Sequence, residues 1–152
     1  MEGNQVKGFM TMIRRVFFFA LLVIAAACDP NTPISEIPNV PVDVTINLSN
    51  QQYIDLQLDG GWAYLNNEGV RGIILYRQSE TSYLAFERNC SFRAADACAT
   101  VDVHSTGFYM EDVCCGSTFD FNGIPSGGPA ALPLKQYFTL LDGQFLTIRN
   151  AP

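Results

Sequence analysis

Histidine and basic residues are scarce in this chain, and each shortage excludes a class of function. The 152 residues include one His, and 9 Lys and Arg stand against 15 Asp and Glu, for a net charge of −6. Proteins that bind nucleic acid neutralise its phosphates with clustered basic residues, so this acidic chain is not expected to bind nucleic acid. Neither a phosphate-binding glycine loop nor a dinucleotide fingerprint occurs. The lone His104 belongs to no recognisable nucleophile motif, so a serine triad has little support.

A long apolar run is also lacking. The longest covers residues 16–27, is 12 residues long and follows Arg14 and Arg15, whereas a bilayer requires about 20 apolar residues. A basic start, a short apolar stretch and three alanines before Cys28 are typical of a secretory signal. Because the cysteine directly follows small residues, the segment resembles a bacterial lipoprotein signal, in which Cys28 is acylated and begins the mature chain. Plain secretion with a cut after Ala27 is the alternative.

This resemblance divides the chain into three segments. Residues 1–27 form the predicted signal peptide, residues 28–41 with four prolines form an extended tether, and residues 42–152 form one domain. Residues 28–152 carry a net charge of −8, which disfavours anionic lipid, so the lipid on Cys28 is the expected membrane attachment. The expected location is the bacterial cell envelope, lipid-anchored at the periplasmic face or in the outer membrane, where disulfides persist.

The domain segment has the alternation of β-strands and lacks a sustained helical period. Apolar residues at 42, 44, 46 and 48 alternate with polar ones, which predicts a half-buried strand. Short apolar segments separated by Gly, Asn and Asp continue to the end. They predict strands over residues 62–65, 70–76 and 82–86, and hairpins that pair 101–103 with 108–110 and 137–141 with 144–148. The expected fold is therefore all-β, a sandwich or barrel of short antiparallel strands.

Four cysteines remain after the signal, and they fall in two predicted loops. Cys90 and Cys98 lie in the first loop, and Cys114 and Cys115 lie in the second. The residue types alone allow two disulfides, a metal site or thiol chemistry. Adjacent cysteines do not form a C-x-x-C redox pair, and zinc sites rarely use neighbouring ligands. The cysteine content and the predicted export to an oxidising compartment therefore favour two disulfides, and a metal site is the alternative that stays open.

Three sequence blocks surround these loops. They are residues 72–90, which end in Tyr-Leu-Ala-Phe-Glu-Arg-Asn-Cys; residues 115–123, Cys-Gly-Ser-Thr-Phe-Asp-Phe-Asn-Gly; and residues 128–137, a Gly-Pro loop with the strand that follows. In order and spacing they resemble the Rieske iron–sulfur domain. The resemblance implies an antiparallel β sandwich or barrel whose two cysteine-bearing loops hold a [2Fe–2S] cluster, with two Cys on one iron and two His on the other. It also implies non-catalytic electron transfer with a redox protein partner.

The sequence departs from the family at the cluster ligands. Phe92 stands where the first loop of the family has His. Alignment of the second loop on its Gly-Ser pair puts Asp112 at the Cys position and Cys115 at the His position. Only Cys90 keeps its expected ligand type, so the His₂Cys₂ set is lost, and His104 alone cannot replace two imidazoles.

Two arrangements of the four cysteines follow from the resemblance. In one, Cys90, Cys98, Cys114 and Cys115 hold a cluster, and Ser117 donates a hydrogen bond to its sulfur. In the other, Cys98–Cys114 takes the place of the disulfide that joins the two loops in respiratory members, and Cys90–Cys115 bridges the emptied ligand pocket. The protein is then an electron-transfer component of the envelope or, as the alternative, a cluster-free, disulfide-stabilised binding or structural module. The missing imidazoles favour the disulfides.

Overall fold

The computed structural model describes residues 36–151, so the predicted signal peptide and Cys28 lie outside the described residues. Within this span the chain forms ten strands and one 3₁₀ helix. The strands are β1 (Asp43–Asn47), β2 (Trp62–Leu65), β3 (Ile73–Ser79), β4 (Ser82–Glu87), β5 (Asp102–Val103), β6 (Met110–Asp112), β7 (Ser117–Phe119), β8 (Pro125–Gly127), β9 (Gln136–Asp142) and β10 (Phe145–Arg149), and the helix is Gln51–Gln57. Every strand pairing is antiparallel. The prediction of an all-β antiparallel fold is confirmed.

Six strands form the larger sheet, in the order β1-β10-β9-β4-β3-β2. The alternation of apolar residues along β1 and β10 directs one face inward, and Ile46 lies opposite Leu146 in the register. The chain turns between β9 and β10 at Gly143, as the Asp-Gly pair predicted. The inward side chains form the first core, which contains Val42, Ile46, Leu48, Tyr53, Leu56, Ala63, Leu65, Ile73, Leu75, Tyr83, Ala85, Tyr137, Leu146 and Ile148.

Four strands form the smaller sheet, in the order β5-β6-β7-β8. The predicted β5–β6 hairpin is present, with Val103 opposite Met110. A second hairpin joins β6 to β7, and its turn carries Cys114 and Cys115. The second core contains Ile74, Phe86, Cys90, Ala99, Val101, Val103, Met110, Phe119, Ala130 and Leu134. Cys90 of the first cysteine loop belongs to this core, and the second loop joins two strands of the smaller sheet. Both cysteine loops therefore lie beside the smaller sheet.

Strand β3 begins at Ile73, later than the apolar run predicted, because the preceding backbone bonds to a side chain. Glu87, the last residue of β4, is fully buried. Its carboxylate accepts hydrogen bonds from the backbone N–H groups of Val70 (2.8 Å) and Arg71 (2.9 Å). These two amides are therefore engaged by the carboxylate and do not extend the β-ladder.

The described end of the predicted tether contacts the domain. The side-chain amide of Asn150 donates hydrogen bonds to Asn39 Oδ1 and to the Val40 carbonyl, both at 3.1 Å. Lys135 Nζ also donates to Asn39 Oδ1, at 3.1 Å. The chain is thus held to the domain a few residues before β1. Within residues 36–151 no helix has the length and hydropathy of a membrane span.

Candidate metal and thiol site

The first cysteine loop, residues 90–99, leaves the larger sheet after β4 and leads to β5. Cys90 N–H donates to the Ala99 carbonyl at 3.1 Å, which closes the loop at its base. Val101 N–H then donates to the Arg88 carbonyl at 2.7 Å. The base of the loop therefore has the hydrogen bonding of a short antiparallel ladder, which fixes where Cys90 lies.

Arg71 holds the same loop from the side. Its guanidinium donates hydrogen bonds to the carbonyls of Asp96 (2.5 Å) and Ala97 (2.8 Å), and its Nε donates to Asn89 Oδ1 (3.1 Å). Charge-assisted bonds of this kind fix irregular backbone in one conformation. The sequence pattern gave no sign of this role, because the acceptors lie more than 15 residues away along the chain.

The second cysteine loop, residues 113–116, is the tight turn between β6 and β7. Gly116 N–H donates to the Asp112 carbonyl (2.8 Å), and Cys114 N–H donates to Asp112 Oδ1 (2.8 Å). Gly116 has a φ of +74°, a conformation in which glycine is strongly favoured. The Asp112 carboxylate is fully buried beneath this turn, so its two oxygens are held in fixed positions.

A third segment, residues 128–133, connects the two loops. Ala130 N–H donates to Ser117 Oγ at 3.0 Å, and Ser91 Oγ donates to the Leu132 carbonyl at 2.6 Å. The segment therefore contacts β7 directly after the second loop, and it contacts the first loop one residue after Cys90. This segment belongs to the Gly-Pro block, residues 128–137, that was noted in the sequence.

The structure brings the four cysteines together as two pairs. Cys98 and Cys114 form a disulfide that joins the first loop to the second, with their Cα atoms 5.7 Å apart. The predicted Cys98–Cys114 disulfide is thus confirmed. Cys90 and Cys115 are free thiols whose sulfur atoms are 3.9 Å apart. Bridging of the ligand pocket by Cys90–Cys115 stays a prediction.

Asp112 completes a compact set of donor atoms with the two free thiols. The sulfur atoms of Cys90 and Cys115 and a carboxylate oxygen of Asp112 all lie within 4.8 Å of one another. Asp112 Oδ2 is 3.4 Å from Cys115 Sγ. Ser117 Oγ is 3.0 Å from the same sulfur. The sequence had named each of these residues, but their convergence depends on how the two loops pack.

Burial raises the pKa of the Cys90 thiol far above its ordinary value. The backbone N–H of Phe92, 3.5 Å from the sulfur, opposes this shift. A hydrogen bond with Asp112 and the electrostatic interactions with Cys115 and Asp112 raise the pKa further. Cys90 is therefore a neutral thiol in the metal-free protein, unlike the low-pKa thiolates of catalytic cysteines.

His104 lies apart from these donors, in the β5–β6 turn. Its Nδ1 is hydrogen-bonded to Thr106 Oγ1 (2.8 Å), and its ring stacks on Tyr109 with centroids 4.3 Å apart. Its Nε2 is 3.8 Å from Glu111. Phe92, in the first cysteine loop, packs against the second core. Among the described residues, therefore, no imidazole reaches the donor set.

These residues do not fit a His₂Cys₂ cluster. The donor set holds two thiols and one carboxylate, whereas a His₂Cys₂ cluster requires two imidazoles among its four protein donors. Cys98 and Cys114 are bonded to each other, so they become ligands only if the disulfide is reduced. A four-cysteine cluster therefore stays a prediction, and it requires that reduction.

The fold and the site define an all-β domain in which two disulfide-linked loops enclose two thiols and a carboxylate. No family model and no curated protein matches the chain. Among solved structures, the chain is similar to the ferredoxin of carbazole 1,9a-dioxygenase from Nocardioides aromaticivorans IC177. The alignment has a TM-score of 0.46 and 20% sequence identity, and it covers 74% of this chain and 100% of that chain.

Proposed function

We propose that this protein is a lipid-anchored module of the bacterial cell envelope, and that its Rieske-like domain works without an iron–sulfur cluster as a disulfide-stabilised binding or structural module. The proposal rests on which residues occupy the four positions where the Rieske motif has its cluster ligands. They hold Cys90, Phe92, Asp112 and Cys115, and His104 is engaged elsewhere.

The chemistry of Phe92 is the strongest part of this argument. A phenyl ring has no lone pair to offer a metal, and the half-buried ring packs against the second core, which favours its present place. The second iron of a Rieske cluster therefore has no nitrogen donor in the first loop. The only thiol that the second loop offers in place of an imidazole is that of Cys115.

The Cys98–Cys114 disulfide supplies the crosslink that the loops need in the absence of a cluster. A cluster joins the two loops covalently through its irons, and the disulfide also joins them covalently. The two loops therefore keep a defined relation without a metal. Disulfides persist in the oxidising environment outside the cytoplasm, which is where the predicted signal would direct the chain.

Electron transfer with a redox protein partner is the second candidate function. The convergence of Cys90, Cys115 and Asp112 supports it, because thiolates hold iron–sulfur clusters and Ser117 stands within hydrogen-bond distance of a sulfur. In this alternative, Cys98 and Cys114 supply the missing ligands after reduction.

Spectroscopy and metal analysis decide between the two functions. The full chain is purified from aerobically grown cells in detergent, and its visible spectrum, iron and acid-labile sulfide are measured. We expect a colourless protein with less than about 0.1 iron per chain, whereas about two irons and two sulfides per chain would support electron transfer.

A variant with the family's ligands restored is the positive control. Phe92→His, Asp112→Cys and Cys115→His together recreate two Cys and two His at the four positions, while the Cys98–Cys114 disulfide stays intact. On a Rieske-like scaffold this variant is expected to acquire a coloured cluster during expression in the same cells. Cluster assembly in the variant and its absence in the natural chain would assign the loss to these residues.

A further inference from the structure

Two distances among the three donor atoms match those around one tetrahedral metal ion, and all three atoms lie within 4.8 Å of one another. Two sulfurs that each lie about 2.3 Å from a zinc ion are about 3.8 Å apart, and a sulfur and a carboxylate oxygen on the same ion are about 3.6 Å apart. The sulfurs of Cys90 and Cys115 are 3.9 Å apart, and Asp112 Oδ2 is 3.4 Å from Cys115 Sγ. A disulfide would require sulfurs about 2.05 Å apart.

We propose that Cys90, Asp112 and Cys115 form a mononuclear site for a thiophilic divalent cation, with Zn²⁺ as its occupant. Two thiolates and one carboxylate are ligands that zinc accepts, and hard cations such as Mg²⁺ avoid sulfur. Three protein ligands leave the fourth tetrahedral position for water or another small ligand. Zinc undergoes no change of oxidation state, so the site binds a metal without requiring electron transfer.

Hydrogen bonds around the three residues have the arrangement that supports metal ligands. Cys114 N–H donates to Asp112 Oδ1, which leaves Oδ2 directed at the sulfur of Cys115. The backbone N–H of Phe92 donates to Cys90 Sγ at 3.5 Å. Ser117 Oγ, held by the Ala130 amide, can turn its proton toward the Cys115 thiolate. Such contacts orient ligands and raise metal affinity.

Metal binding here is a proton exchange. One Zn²⁺ forms two Zn–S bonds and one Zn–O bond, the two thiols release two protons to solvent, and no atom is oxidised or reduced. The inference rests on the proposed absence of a cluster, since an iron–sulfur centre would use the same residues.

Zinc content and cobalt spectroscopy test the site. The full chain is purified in detergent without reductant or chelator, and its zinc is measured by mass spectrometry. Samples reloaded with Co²⁺ are examined for thiolate-to-cobalt charge-transfer absorption. We expect about one zinc per chain and a charge-transfer band. Asp112→Asn and Cys115→Ser are expected to weaken zinc binding at least about tenfold.

Glu111→Gln is the matched control. It removes the neighbouring carboxylate of β6, which contacts His104 instead of the thiols, and it should leave zinc affinity unchanged. Circular dichroism checks the folding of each variant. The cobalt band of the natural chain tests the thiolate ligands even where the buried Asp112 tolerates no substitution.

Each contrary result has a separate meaning. A folded chain with free thiols that takes up neither Zn²⁺ nor Co²⁺ overturns this inference and leaves the proposed function intact. A metal-free chain with a Cys90–Cys115 disulfide does the same. Zinc retained at equal affinity by both ligand variants overturns the assignment of residues. Iron with acid-labile sulfide overturns the proposed function as well.

Discussion

Glu87 holds several segments of the chain together beside the larger sheet. Its buried carboxylate accepts hydrogen bonds from the backbone amides of Val70, Arg71 and Asn89 and from the hydroxyl of Tyr137. Backbone and hydroxyl donors thus replace the water that the charge loses on burial. The carboxylate thereby fixes the segment before β3, from which Arg71 reaches the first cysteine loop.

Tyr137→Phe tests this arrangement through its dependence on pH. Burial and then the Glu87 carboxylate raise the pKa of the Tyr137 hydroxyl above its ordinary value of about 10. As the pH rises through about 10, the unfolded chain loses this proton while the native chain keeps it, so stability falls. The phenol contributes at most about 1.4 kcal/mol per pH unit to this slope.

The expected result is a smaller loss of stability at high pH in the variant. Near pH 7, Tyr137→Phe should destabilise the protein by about 1–3 kcal/mol, because Glu87 loses a donor. Between about pH 9 and 11 its free energy of unfolding should fall less steeply than that of the natural chain. Denaturant unfolding at each pH measures both, and parallel curves for the two proteins would refute the coupling.

Gly128 determines how closely the third segment approaches the second cysteine loop. It has a φ of +80°, and a Cβ built there would lie 2.5 Å from Ser117 Cα and against the Gly116 carbonyl oxygen. Gly128→Ala therefore incurs backbone strain together with a clash against backbone atoms, and we expect a destabilisation of at least about 2 kcal/mol.

Gly107→Ala separates these two costs. Gly107 has a similar φ of +73°, but a Cβ there would meet nothing within 4 Å. The Gly107→Ala variant should lose only about 1 kcal/mol of its free energy of unfolding, which is the cost of the backbone conformation alone. Thermal melting of both variants checks the difference, and equal losses would show that the close approach of Gly128 contributes nothing.

For individual residues, the sequence predicted some structural roles and missed others. Cys98–Cys114 was predictable because the resemblance supplied a disulfide at these positions. The mutual approach of Cys90, Asp112 and Cys115 depends on packing between loops that lie more than 20 residues apart. No local pattern distinguishes a buried Glu87 from an exposed one, since most of its hydrogen-bond donors come from two other segments of the chain.

At the scale of elements, the disulfide is the device that joins the two cysteine loops. It closes a loop with a sequence separation of 16, for which restriction of the unfolded chain stabilises by about 3 kcal/mol. The paired substitution Cys98→Ala with Cys114→Ala should lower the free energy of unfolding by about that amount, as measured by urea unfolding.

Reduction of the natural chain is the control for that substitution. If the crosslink accounts for the effect, a thiol reductant should lower the natural chain to the stability of the double variant and leave the variant unchanged. A variant as stable as the oxidised natural chain would show that the loops are held by other contacts, such as those of Arg71.

The elements with regular alternation were predicted, and those without it were missed. Strand β1 and the β9–β10 hairpin follow clear apolar alternation and an Asp-Gly turn. Strands β7 and β8 are three residues each, too short to show a period. The 3₁₀ helix over Gln51–Gln57 buries only Tyr53 and Leu56, and two apolar residues give no periodic signal.

At the scale of the whole molecule, charge and the N-terminal segment together determine the expected membrane association. Residues 28–152 carry a net charge of −8, so anionic lipid would repel the domain. The only attachment that the sequence predicts is acylation of Cys28, and two or more acyl chains hold a protein stably on a bilayer. Membrane association should therefore depend on one residue and should resist salt.

Cys28→Ser tests this dependence. The natural chain should sediment with membranes after a high-salt wash, because apolar acyl chains are insensitive to ionic strength. The Cys28→Ser variant should not sediment with the membranes, and mass spectrometry should show that it lacks the mass of the acyl chains. Cys115→Ser, which removes a different thiol and keeps the predicted signal, should stay with the membranes as the control. A Cys28→Ser variant that still sediments, or a natural chain released by salt, would mean that the protein is attached through another surface.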